Sequence, residues 1–423
     1  MSRPLARRLL VPALALLTVS LSPAARSQSA QTTGTQTISA LFMKQAAYSE
    51  ADVRAMTDAF TRLNPGVRVN LEFVPYEGLR AKTIAAQAAG SYDVVLFDVI
   101  WPAEYAQNGF LLDVTSRINK ADVPRIFPGA WTTVNYQGKS YGLPWILDTK
   151  YLYTNTTMLK KAGIKAPPRT LDELLAQARL LKKKGLVKYP LVSSWGQAEA
   201  LVADYTMYLS AYGGRFFDAQ GKPAFNTGGG LKALEFMVAT LREGLSNPNS
   251  REYLEEDVRR VFSSGQAAYA LNWTYMYGMA QDPKESKVVG QVGIVPAPGA
   301  AGGRPVSAVN GSMGLGVTSG SKNPDLAWKF VSYLTSQAVQ NRYAKLSLPI
   351  WKSSYTDPAV IKGQAAVVSA ARISVGAMFP RPEAPQYQEV STILQKALQQ
   401  ALLGKLSPKA ALDDAARQVT DLR

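Results

Sequence analysis

The sequence predicts an α/β protein of two lobes, and three observations carry that reading. Helical and extended segments alternate along nearly the whole chain, the pattern of layered α/β proteins. Of the 423 residues, about 396 remain once an amino-terminal leader of 27 is removed, more than one ordinary core accommodates. Three stretches marked by glycine or proline suit crossings between lobes: Tyr141–Thr154, Ser307–Val317 and Leu348–Pro358.

The leader comes first. Arg3, Arg7 and Arg8 precede an uncharged apolar run from Leu9 to Leu21. That run is shorter than the roughly 20 apolar residues of a spanning helix. Ala25-Arg26-Ser27 follows with a small-x-small pattern. Residues 1–27 therefore read as a secretory signal peptide, cut after Ser27 or, alternatively, after Ala30. The chain contains neither cysteine nor histidine. This excludes disulfides, a lipid-modified cysteine, His-based zinc sites and Ser-His-Asp triads. No cofactor is expected.

The formal charge of +16 falls to +12 without Arg3, Arg7, Arg8 and Arg26. The basic residues are dispersed. The densest run, Lys182-Lys183-Lys184, closes a helix, where cations complement the carboxyl-end dipole. No nucleic-acid-binding motif is present, so no nucleic-acid partner is expected.

The first lobe opens with a strand at Ile38–Phe42. Ser49-Glu50-Ala51-Asp52 caps a helix carrying Val53, Met56, Phe60 and Leu63 at helical spacing. Val67, Val69, Leu71 and Phe73 alternate with polar residues as a half-buried strand. A second helix runs from about Tyr76 to Ala89. Asp93-Val-Val-Leu-Phe is a short apolar strand of the kind buried on both faces. This order predicts a mainly parallel sheet with right-handed crossovers. Ligands of such sheets lie beyond the carboxyl ends of the strands. Lys44, Gln45 and Tyr48 follow the first strand there, and Asp98 and Trp101 follow the third. Asp98 also suits a helix cap, and Trp101 simple packing.

The run Tyr141–Thr154 is interrupted by Pro144 and by Asp148-Thr149, poor choices for one central strand. They suit a strand that leaves one sheet, crosses a cleft and enters another, with Trp145, Asp148 and Tyr151 near the crossing. A short helix at Thr157–Ala162 is stopped by Gly163. Thr170-Leu171-Asp172-Glu173 reads as a capping box. Further helices are expected at Thr170–Lys184, Ala198–Tyr212 and Gly228–Glu243. Past Gly265 a strand leads into an aromatic loop with Trp273, Tyr275 and Tyr277. These rings suit either packing or a pocket, and their place beyond a strand end favours the pocket. Val292–Pro298 is a strand, Asn323-Pro324-Asp325 begins a helix, and the carboxyl-terminal part is helical with a break at Phe379-Pro380-Arg381-Pro382. The lobes are thus expected at 28–147 with 307–352, and at 148–306 with 353–423.

Several segments, in one order, resemble the sugar-binding proteins of bacterial ABC importers, more narrowly the trehalose/maltose-binding branch. They are GKSYGLPWILDTKYLYTN from Gly138, YDVVLFDVIW from Tyr92, FSSGQAAYALNWTY from Phe262, VGIVPAPG from Val292, SKNPDLAWKF from Ser321 and RPEAPQYQEVS from Arg381. The resemblance implies a type II periplasmic-binding-protein fold with three hinge crossings and closure around a carbohydrate. It implies a freely diffusing periplasmic monomer whose partners are its ligand and the permease subunits in the inner membrane. It assigns Asp98 and Asp148 to sugar hydroxyls, Trp273 and Tyr275 to a pyranose face, and Arg381 to sugar oxygens. At Asn310-Gly311-Ser312 the family often reads G-G-W, so Ser312 stands where a stacking ring is expected.

These residue types fit a sugar physically. Carboxylates and arginine serve its hydroxyl edges with charge-assisted hydrogen bonds of about 1.5–3 kcal/mol, and rings serve its C–H faces. Two other readings compete. A secreted glycosidase could use Asp98 and Asp148 as a carboxylate pair about 5–9.5 Å apart. The same fold could also take a polyamine or another small solute, but acids mixed with Arg381 favour a neutral polyol.

Overall fold

A computed structural model describes residues 35–44 and 47–422. The expected signal peptide and Gln45 lie outside the described residues. The chain begins with β1 (Gln36–Met43), β2 (Val67–Val74) and β3 (Val94–Asp98). Helices Glu50–Leu63 and Tyr76–Gln87 join them, and β1 pairs in parallel with both β2 and β3. Ser49 caps the first of these helices as expected, and with Asp52 it forms a reciprocal capping box. All five residues of β3 are buried, as its unbroken apolar run requires.

A hairpin follows, β4 (Asn135–Tyr136) and β5 (Lys139–Ser140), around Gln137 (φ 48°) and Gly138 (φ 76°). Two consecutive positive φ values are those of a type I′ turn. Then β6 (Leu143–Ile146) takes the edge of the first sheet, where Pro144 is tolerated. The chain crosses at Asp148–Lys150 and re-emerges as β7 (Tyr151–Asn155) in a second sheet. The extended run Tyr141–Thr154 is thus divided between two sheets.

The second sheet adds β8 (Leu191–Val192), β9 (Tyr269–Asn272) and β10 (Val292–Val295), in the order β10-β7-β9-β8. Helices Leu171–Lys183, Glu199–Ala211, Gly228–Arg242, Tyr387–Leu402 and Pro408–Asp421 belong to this lobe. Thr170 caps the first of them by accepting from Glu173 N–H. Glu173, however, reaches back to Arg169 N–H rather than to that of Thr170, so the box is not reciprocal. The expected aromatic loop after β9 is instead a short helix, Tyr275–Ala280, immediately after Trp273.

After the small hairpin β11 (Ala297–Pro298) and β12 (Val306–Ser307), residues 308–312 cross back to β13 (Met313–Val317). This strand enters from the other lobe and pairs antiparallel with both β3 and β6. The first sheet is therefore mixed, β2-β1-β3-β13-β6, rather than mainly parallel. A third passage leads from Ile350 and Trp351, in the first core, to Tyr355, in a second-lobe core. Phe42, Phe60, Phe97 and Phe330 centre the first core; Tyr205, Leu209, Phe225 and Leu394 centre the largest of the second lobe.

Candidate functional site

A cleft of about 650 Å³ opens between the two sheets. The first lobe contributes the carboxyl ends of β1 and β3 and the head of helix Tyr76–Gln87. The second contributes the heads of helices Glu199–Ala211 and Glu255–Ser263 and the segment after β9. The first two crossings contribute Asp148 and Gly311, and the second-lobe segment before helix Tyr387–Leu402 contributes Arg381. Among the described residues, no group of three His, Cys, Asp or Glu could hold a metal ion.

Lys44, Asp98, Trp101, Asp148, Trp273, Tyr275 and Arg381 all line this cleft. Three residues expected there, Tyr48, Ser312 and Tyr277, do not. The ring of Tyr48 is buried in the first core against Trp145, 4.8 Å between centroids. Ser312 is fully buried at the end of the second crossing, where its Oγ accepts Asp148 N–H at 3.4 Å. Its neighbour Gly311 faces the cleft instead, and a Cβ there would lie 2.2 Å from the Trp273 ring. Tyr277 packs on a second-lobe core.

Asp98 ends β3. Its Oδ1 accepts from Ile100 N–H at 3.2 Å and from Arg381 Nη2 at 3.1 Å. The helix-cap position falls to Trp101, not Asp98. Burial pushes the Asp98 carboxyl above its ordinary range, and Arg381 pulls it back only in part. Trp101 stacks on Tyr76, 5.7 Å between centroids and 21° between planes, so it both packs and faces the cleft.

Arg381 is 4% exposed. Besides Asp98 it donates through Nη1 to Glu199 Oε1 at 2.7 Å and through Nη2 to the Asn310 carbonyl at 3.1 Å. Burial opposes its charge, but Asp98 and Glu199 outweigh burial and hold it protonated. Glu199 in turn accepts from the Tyr387 hydroxyl at 2.6 Å and from Ser391 Oγ. Arg381 Nε and Trp101 Nε1 are buried without a hydrogen-bond partner among the described residues.

Asp148 has only uncharged hydrogen-bond partners. It accepts from Thr149 N–H at 2.8 Å, from Thr274 N–H at 3.3 Å and from Thr274 Oγ1. Burial raises its carboxyl to about 7, against the opposing pull of these bonds. Trp273 donates its indole N–H to Glu255 Oε1 at 3.2 Å.

The sequence reading missed Tyr76, Arg80, Glu199 and Glu255, which also line the cleft. Each lies in the first turns of a helix, where a carboxylate reads as a complement to the dipole. Their positions at the lobe interface arise from tertiary packing.

The arrangement pairs acceptors and donors with flat aromatic surfaces from both lobes, which is chemistry for holding a polyhydroxylated molecule. Comparison with known proteins agrees. A model of the bacterial extracellular solute-binding protein family matches residues 36–341. The chain belongs to that family. A probable ABC transporter-binding protein of Deinococcus radiodurans is 30% identical over 373 residues, 85% of this chain and 87% of that one. The maltose-bound T. maritima MalE3 structure superposes with a TM-score of 0.85 at 28% identity, covering 92% of this chain and all of that one. A solute-binding protein of Agrobacterium radiobacter K84, in complex with ribitol, gives 0.82 at 25% identity over 92% and 99%.

Family membership establishes the two-lobe type II fold and the role of solute-binding component of an ABC importer. It also sets aside the glycosidase reading of Asp98 and Asp148, because the family binds solutes without transforming them. No helix among the described residues is long and apolar enough to cross a membrane.

Proposed function

We propose that the protein is a periplasmic monomer that captures a di- or oligosaccharide, of the maltose or trehalose type, and delivers it to inner-membrane permease subunits. The signal peptide read at residues 1–27 would export it. The observation that carries the ligand class is the pair of buried donors, Arg381 Nε and Trp101 Nε1, unpartnered among the described residues, in a cleft that also presents Trp273 and Tyr275. Donors left unsatisfied in a closed site cost free energy unless ligand oxygens meet them. The second-lobe rings suit the C–H face of a pyranose. The cleft volume lies within the range of about 300–1,000 Å³ typical of ligand pockets. The maltose-bound relative supports a disaccharide. Closing both lobes over such a ligand favours the closed state by differential affinity.

A second reading, an acyclic polyol, is supported by the ribitol complex. It would use the polar groups and leave the rings idle. Mass spectrometry of solute released from protein purified under mild conditions separates the two. An intact disaccharide or oligosaccharide mass is expected. A pentitol or hexitol mass would replace the first reading with the second.

A further inference from the structure

Lys150 lies two residues past Asp148 in the first crossing, is wholly buried and does not line the cleft. Its Nζ donates to Asp204 Oδ1 at 2.6 Å and to Ser194 Oγ at 2.9 Å. It also stands 3.4 Å from Glu255 Oε1 and 5.0 Å from the centroid of the Trp273 ring, over its face. The same Glu255 oxygen accepts the Trp273 indole N–H. Gly311 leaves the room the ring occupies. Three groups from three separate segments thus converge on one indole.

Stability is a weak reason for this arrangement. A buried ion pair is often no better than apolar residues of the same volume, because both charges lose their water. Here Asp204 and Glu255 offset the burial that opposes the ammonium and keep it charged. What the cation gains is a fixed position against an aromatic face, an attraction worth about 0.5–2 kcal/mol.

We propose that Lys150 is a positioning residue for Trp273, covering one face of the indole and, through the shared Glu255 carboxylate, fixing its rotation. Ligand then meets a single preset face. This inference rests on the proposed reading in which Trp273 stacks on a sugar ring. A side chain already ordered loses little conformational freedom on binding. A rigid pyranose face benefits fully, whereas a flexible open-chain polyol benefits little. Lys150 would thereby bias the cleft toward cyclic ligands without touching them.

Lys150→Met alone would leave Asp204 buried and unpaired, so the test uses Lys150→Met with Asp204→Asn in the full chain. The chain holds seven tryptophans. Incorporating 5-fluorotryptophan gives each a fluorine resonance, and Trp273→Phe identifies that of Trp273. In ligand-free double variant the Trp273 resonance should shift and broaden while the other six hold their positions. Lys150→Arg keeps the charge and its pairing but moves it relative to the ring, and should shift the same resonance. Maltose affinity should fall about tenfold in the double variant, and mannitol affinity less than twofold. A Trp273 resonance unmoved in either folded variant overturns the proposal. A moved resonance in a protein whose parent binds no sugar upholds the positioning role and defeats the sugar reading separately.

Discussion

Arg381 Nη2 meets Asp98 Oδ1 at 3.1 Å, while Nη1 meets Glu199 Oε1 at 2.7 Å. One guanidinium therefore ties the end of β3 in the first lobe to a helix head in the second. All three side chains are nearly buried, so the tie is not a solvent-screened surface pair. The resemblance assigns Arg381 to sugar oxygens. The geometry commits Nη1 and Nη2 to the protein, and Nε is buried without a hydrogen-bond partner among the described residues.

Replacing Arg381 by Met should strand Asp98 and Glu199 as buried carboxylates. Breaking a buried pair in this way costs about 3–5 kcal/mol. Thermal melting of Arg381→Met should show a clear loss of stability. Arg381→Lys retains a charge but lacks the planar fork, so it should melt nearer the parent while binding sugar more weakly. Equal melting of Arg381→Met and the parent would remove the triad as an interlobe tie.

Asp148 makes stability pH-dependent in an unusual direction. Its buried carboxyl titrates at about 7, against about 3.9 in the unfolded chain. Between those values the native state holds the extra proton, so this group's contribution is fully present below about pH 4 and is lost as pH rises through 7. Asp148→Asn should flatten that decline. Melting temperatures at pH 5 and pH 8 check it: the parent should lose more between them than the variant. An equal loss would contradict the assignment.

Part of this was legible in the chain. Pro144 and Asp148-Thr149 marked the division of one extended run between β6 and β7, because neither suits the interior of a single central strand. Asp98 was legible because β3 is an unbroken apolar run and its end is therefore a strand end. Tyr48 was misplaced because its ring packs on Trp145 in the core, and Ser312 was misplaced by register. In an extended segment a shift of one position moves a side chain to the other face, and Gly311, not Ser312, takes the cleft side. β13 was not legible as an antiparallel insert, since its glycine-rich sequence carries no sign of its neighbours. Glu199 and Lys150 acquire their partners from segments between 44 and 192 positions away, which no local pattern encodes.

Gly311→Ala should act on the ligand through Trp273. A Cβ at 2.2 Å from a rigid ring cannot be accommodated without moving the ring. Calorimetry should show sugar affinity reduced in Gly311→Ala and in Trp273→Ala to a similar extent, and the double variant should lose little more than either alone. Additive losses would mean that Gly311 acts elsewhere.

The central claim, capture of an intact neutral saccharide between the lobes, is tested most directly by calorimetric titration of the purified, ligand-stripped protein. The panel is maltose, trehalose, mannitol and a polyamine, with the sugars assayed afterwards for cleavage. The account predicts saturable binding of a disaccharide, recovered whole, and at least tenfold weaker binding in Trp273→Ala. Binding of the polyamine with no response to any sugar, or disaccharide binding that Trp273→Ala leaves unchanged, would contradict it.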